Sequence, residues 1–108
     1  MTTEVVIDKE YKEPEGKYVH FKLVINSECS IVSVVITGDF FAYPPENIDK
    51  LSLILKGGTL LNMRKLKEHV NNIVKETVMI GIDSNVFKEL IFKLFEEGLK
   101  KCRSMKGK

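Results

Sequence analysis

The clearest signal along the chain is a change of hydrophobic period, from two in the first third to three or four afterwards. Val19, Phe21, Leu23 and Ile25 alternate with Tyr18, His20, Lys22 and Asn26, which predicts a strand from Lys17 with one buried face. Before it, Glu4 to Tyr11 mixes Val5, Val6 and Ile7 with Asp8, Lys9 and Glu10, the pattern of an edge strand with one wet face. Glu13-Pro14-Glu15-Gly16 separates the two as a turn. Asn26-Ser27-Glu28 is a polar break that reads as a hairpin loop. Ser30 to Thr37 then puts Val32, Val34 and Ile36 on one face and Ile31 and Val35 on the other. Two apolar faces predict a central strand, and three strands on short links predict an antiparallel meander.

Beyond Phe41 the helical period takes over. Pro45 and Glu46 suit a first helical turn, and Ile48, Leu51, Ile54 and Leu55 line one face until Gly57-Gly58. Asn62 is placed to cap a second helix carrying Met63, Leu66, Val70, Ile73, Val74 and Thr77. Gly81 interrupts the chain, and Asp83 or Ser84 opens a third helix with Phe87, Leu90, Ile91, Leu94 and Phe95 as its stripe. Strands first and helices after predict an α+β fold: a three-stranded antiparallel meander with about three helices packed on one face.

The joint between the two halves is Gly38-Asp39-Phe40-Phe41, set between the β-branched run and Pro44-Pro45. Adjacent phenylalanines on an extended chain point to opposite faces, so Phe40 and Phe41 cannot both serve the sheet's core. One of them, with Tyr43, is a candidate apolar anchor for a partner, or both are core, one under the sheet and one under the first helix. Asp39 either accepts backbone N–H groups in the turn or meets a partner. Gly38 marks a position of positive φ or of close backbone approach.

Composition narrows the function classes. At 108 residues and 44% hydrophobic, residues 1–108 fit one domain with a core that needs neither metal nor disulfide. Seventeen basic against fifteen acidic residues leave no strong nucleic-acid footprint. The surplus lies in Lys100, Lys101, Arg103, Lys106 and Lys108, which reads as a flexible, solvated tail over about 100–108. No segment reads as a signal peptide or membrane span, and Cys29 and Cys102 stand in no paired spacing, so reduced thiols in a cytoplasmic protein are expected.

Catalytic and metal motifs are missing from the sequence. Lys56-Gly57-Gly58 lacks the spacing of a phosphate-cradling loop, and no HExxH, CxxC or Gly-x-Ser-x-Gly occurs. His20 falls on the polar side of a strand and His69 on the polar side of a helix, where surface histidines are expected.

The residue order nonetheless resembles a known family. Gly16-Lys17 opening a strand, an Ile-rich strand running into Gly38-Asp39-Phe40-Phe41, a Pro-Glu helix start and Leu55-Lys56-Gly57 at the helix end are similar to the C-terminal accessory domain of lipoate–protein ligases. The resemblance covers about Tyr11 to Phe95. Without a catalytic domain the chain looks like the stand-alone small subunit of a split, two-protein ligase. The resemblance implies a catalytic ligase subunit as heterodimeric partner and lipoyl-acceptor domains as indirect ones. It further implies that lipoate, ATP and Mg act through that partner, this chain binding none of them. Its role would be in activating lipoate to lipoyl-AMP, with Gly38, Asp39, Phe40, Phe41 and Tyr43 as the docking residues and no catalytic residue of its own.

The family's hairpin glycine is replaced here by Ser27-Glu28-Cys29. The same layout is also similar to iron–sulfur scaffold and sulfur-acceptor proteins, which carry cysteines in the loop where this chain has Asp39, Phe40 and Phe41; that alternative lacks ligands. A free-standing lipoate- or nucleotide-binding module is a third reading.

Overall fold

A computed structural model describes residues 3–14 and 17–106. Three strands, β1 (Glu4–Lys12), β2 (Tyr18–Asn26) and β3 (Ile31–Gly38), form an antiparallel sheet in that order. A second, two-stranded ribbon pairs β4 (Phe41–Tyr43) with β5 (Val78–Ile80). Three α-helices, α1 (Glu46–Leu55), α2 (Met63–Lys75) and α3 (Ser84–Lys106), complete the α+β fold. The meander and helices are those the hydrophobic pattern predicts; the ribbon is not anticipated. The predicted turn at Glu13-Pro14-Glu15-Gly16 lies partly outside the described residues.

The sheet buries one face. Val19, Phe21, Leu23 and Ile25 of β2 share one core with Phe87, Ile91, Leu94 and Phe95 of α3 and with Leu51 and Leu55 of α1, α3 lying against β1 and β2 and α1 against β3. Each such side chain removed from water contributes about 1.5–3 kcal/mol, and the three fully buried phenylalanines, Phe21, Phe87 and Phe95, supply its bulk.

Two expectations about β3 need correction. The central strand is β2, whereas β3 closes the sheet's far edge. A register shift at Val24/Ile25 also brings Ile31 opposite Ile25, so Ile31 and Val34 enter the core and Val32 is left half-buried. A bulge of this kind inverts the alternation on one side of it. Similarly, Ile54 of α1 is exposed, while Asn47 takes a buried place on the stripe. Asn47 Nδ2 donates to Thr77 Oγ1 at 2.8 Å and Thr77 Oγ1 donates to the Ile73 carbonyl at 2.6 Å, so the polar intrusion is satisfied. Those bonds tie the start of α1 to the chain entering β5. The caps follow the sequence: Asn62 Oδ1 accepts from Lys65 N, and Asp83 Oδ1 accepts from Asn85 N and Val86 N.

The C-terminal segment departs furthest from expectation. The basic stretch read as a solvated tail is helical to Lys106, and residues 107–108 lie outside the description. The cause is Cys102, one helical repeat beyond Phe95 on the same face and fully buried. It is bonded to Cys29, 73 positions earlier, so the expectation of reduced thiols is also overturned. Cys29 sits at φ 65°, the conformation a hairpin glycine would take, and Asn26 Oδ1 holds the turn by accepting from Glu28 N and Ser30 N. The missing glycine is thus a cysteine whose side chain the bridge turns inward. No helix among the described residues is long and apolar enough to cross a membrane.

A crosslink closing a loop of this length constrains the unfolded chain strongly. Cys102→Ser is expected to lower unfolding stability by about 2–4 kcal/mol. Urea unfolding of the oxidised protein and the variant measures this, and equal midpoints would show that the bridge contributes nothing.

Candidate functional site

The Gly38–Tyr43 corner is built where β3 ends beside the start of β2. Gly38 lies opposite Val19, and a Cβ there would collide with the Tyr18 carbonyl oxygen and stand 3.0 Å from Val19 Cα. Close approach, not positive φ, is what requires glycine. The next residue closes the contact: Asp39 N donates to the Tyr18 carbonyl at 3.1 Å, and Tyr18 N donates to Asp39 Oδ1 at 2.6 Å. A charged acceptor on a backbone donor makes this a strong bond, and Asp39 has the turn role as its observed one.

The reciprocal pair turns the chain, and the two phenylalanines part. Phe40 packs half-buried on Phe87, with ring centroids 5.9 Å apart; Phe87 in turn meets Phe21 at 5.5 Å. Phe40 therefore belongs to the core. β4 starts one residue later and restores alternation, sending Phe41 and Tyr43 outward at 58% and 56% exposure, with Ala42 turned in.

Opposite them on β5, Ile80 pairs with Phe41 and Val78 with Tyr43, at 52% and 63% exposure. The ribbon thus presents four large apolar side chains on one face, a density that monomeric surfaces seldom carry without a binding role. A broad open groove of about 430 Å³ runs beside it, lined by Ile36, Phe40, Ala42, Tyr43 and Ile48 among others. Val78 and Ile80 are not marked by the sequence reading; their signal is the short run Val78-Met79-Ile80 closed by Gly81. The structure brings Gly38, Asp39, Phe40, Phe41 and Tyr43 together, in two roles: the first three form the corner, and the last two face solvent.

The histidines stand elsewhere. His20 Nε2 lies 2.9 Å from Asp8 Oδ1 across the outer face of the sheet, and His69 lines a shallow groove with Asn62 and Lys65. Among the described residues no group of three or more His, Cys, Asp or Glu is arranged to hold a metal ion. Both cysteines are joined to each other, which takes the last thiol ligands from the iron–sulfur alternative.

The class is therefore a small α+β domain with an exposed apolar ribbon, Phe41, Tyr43, Val78 and Ile80, at a sheet corner. No family model and no curated protein matches the sequence. Among solved structures, the fold is similar to that of a chain from an archaeal lipoylation system, a bi-partite lipoate protein ligase and its E2 lipoyl domain from Thermoplasma acidophilum. The likeness has a TM-score of 0.65 at 19% identity and covers 81% of this chain and 94% of that one. It is a likeness of fold.

The division of roles has a stability signature. Gly38→Ala and Phe40→Ala are each expected to cost about 2 kcal/mol or more, through a backbone collision and a lost ring contact. Phe41→Ala is expected to stay within about 0.5 kcal/mol of wild type. Thermal or urea unfolding reads all three, and a large loss in Phe41→Ala would place that ring in the core.

Proposed function

We propose that this chain is a non-catalytic accessory subunit of a two-protein lipoate–protein ligase. In this reading it supports the ATP-dependent activation of lipoate to lipoyl-AMP by a catalytic partner. The observation that carries the reading is the fold likeness to a chain of a bi-partite ligase system over nearly all of that chain. The apolar ribbon supports it independently, since a surface of this kind has little use on a protein acting alone.

The mechanism we infer is preorganisation. Phe41 and Tyr43, with Val78 and Ile80, dock on the catalytic subunit and order the part of it that closes over lipoate and ATP with Mg. Water is excluded and the carboxylate is held near the α-phosphate. Positioning of reactants contributes on the order of 7–11 kcal/mol at best, without any new chemical group. Gly38 and Asp39 contribute by fixing the corner from which the ribbon projects. Lipoyl-acceptor domains meet the complex at the later transfer step, through the partner. We place the complex in the cytoplasm, where a disulfide is unusual; full burial of Cys29 and Cys102 keeps this one from solvent thiols while the domain is folded.

The test separates the two half-reactions in a mixture with the catalytic subunit. Phe41→Ala and Tyr43→Ala are expected to slow lipoyl-AMP formation by about tenfold or more, the usual cost of removing an interface anchor. Transfer from preformed lipoyl-AMP is expected to change less than about twofold, since uniform loss would signal a different role. Equal loss in both steps, or no stimulation by the wild-type chain, would overturn the assignment.

A further inference from the structure

Lys17 immediately precedes β2, yet the hydrogen bonds of the corner make no use of it. Its placement has a different logic. At Gly81, φ 101°, a Cβ would stand 2.7 Å from Lys17 Cγ and 3.2 Å from its Cδ, so a side chain there requires the lysine stem to move. The Lys17 stem therefore lies against the backbone that leaves β5. At the end of that stem, Nζ stands 5.8 Å from the centroid of the exposed Phe41 ring. Among the described residues no carboxylate lies within ion-pair distance of it. A long cation spread with its apolar stem on backbone and its head over an aromatic face is held at both ends. Three segments distant in sequence meet here: the residue before β2, the start of β4 and the residue after β5.

We propose that Lys17 is a positioning residue for Phe41: its stem, seated on Gly81, and its ammonium, over the ring, hold the phenylalanine in the orientation a partner meets. The proposal rests on the reading of Phe41 as a docking aromatic. An exposed phenylalanine otherwise samples several rotamers and loses that freedom on binding. Fixing it beforehand lowers the ordering cost of the complex. Gly81 acquires a role in the same step, because any larger residue lifts the stem from its seat.

The experiment combines proton NMR of the isolated chain with a binding titration against the catalytic ligase subunit. In wild type, nuclear Overhauser contacts are expected between the Lys17 ε-methylene and the Phe41 ring protons. Gly81→Ala is expected to abolish them with Lys17 itself unchanged. Lys17→Met keeps the stem and removes the charge; it is expected to weaken binding about 2- to 5-fold, whereas Lys17→Arg restores wild-type affinity. Thermal melts accompany each variant, and if Gly81→Ala unfolds, the wild-type Overhauser contacts together with the affinities of Lys17→Met and Lys17→Arg decide. Absence of the wild-type contacts overturns the proposal, as does wild-type affinity in Lys17→Met where Phe41→Ala weakens binding. If Phe41→Ala leaves binding untouched, the docking reading of the corner falls, and the Overhauser contacts with their loss in Gly81→Ala still decide whether the clamp exists.

Discussion

The reciprocal contact between Asp39 and Tyr18 decides where this molecule turns from sheet to helices. Two hydrogen bonds, one to a carboxylate, pin the end of β3 to the start of β2 across a gap that admits only glycine at position 38. From that fixed point Phe40 drops onto Phe87 and the next residue begins a new strand. Were the contact loosened, β3 could run on in register and carry Phe40 and Phe41 to opposite faces of the main sheet. The short ribbon, and with it the exposed aromatic face, depends on the chain leaving the sheet here.

At the opposite end, the Cys29–Cys102 bridge fixes the far end of α3 to the β2–β3 hairpin. The helix carries Phe87 at its start and Cys102 near its finish, so it spans the core from the aromatic corner to the hairpin. One end is secured by packing and the other by a covalent bond. The left-handed backbone at Cys29 costs roughly 1–2 kcal/mol against a glycine and is tolerated because the crosslink dictates the direction of its side chain.

Much of this was legible in residue order, and the failures share a cause. Local rules placed the meander, the helices and the caps at Asn62 and Asp83, because period and capping chemistry act over a few residues. They also showed that Phe40 and Phe41 must part, without showing which went inward, since that depends on Phe87, far along the chain. The pairing of Phe41 with Ile80 and of Tyr43 with Val78 is likewise non-local, and three-residue strands are too short to carry a period. The bulge that admits Ile31 instead of Val32, and the disulfide that anchors the basic end of α3 through the buried Cys102, are long-range effects too. The resemblance to the ligase accessory domain, carried by Gly38-Asp39-Phe40-Phe41, pointed to a system in which a chain of similar fold is found.

What the fold offers a partner is an exposed apolar face, with the Lys17 ammonium over its Phe41 ring and the Asp39 carboxylate bound to backbone at the corner behind it. On our proposal this face meets a catalytic ligase subunit. Amide hydrogen exchange of the chain, alone and with that subunit added, tests it most directly. The expected result is slowed exchange in β4 and β5, over Phe41–Tyr43 and Val78–Ile80, with the outer face of the main sheet unchanged. Unchanged exchange in both short strands, or protection confined to the outer face of β1 and β2, would contradict it.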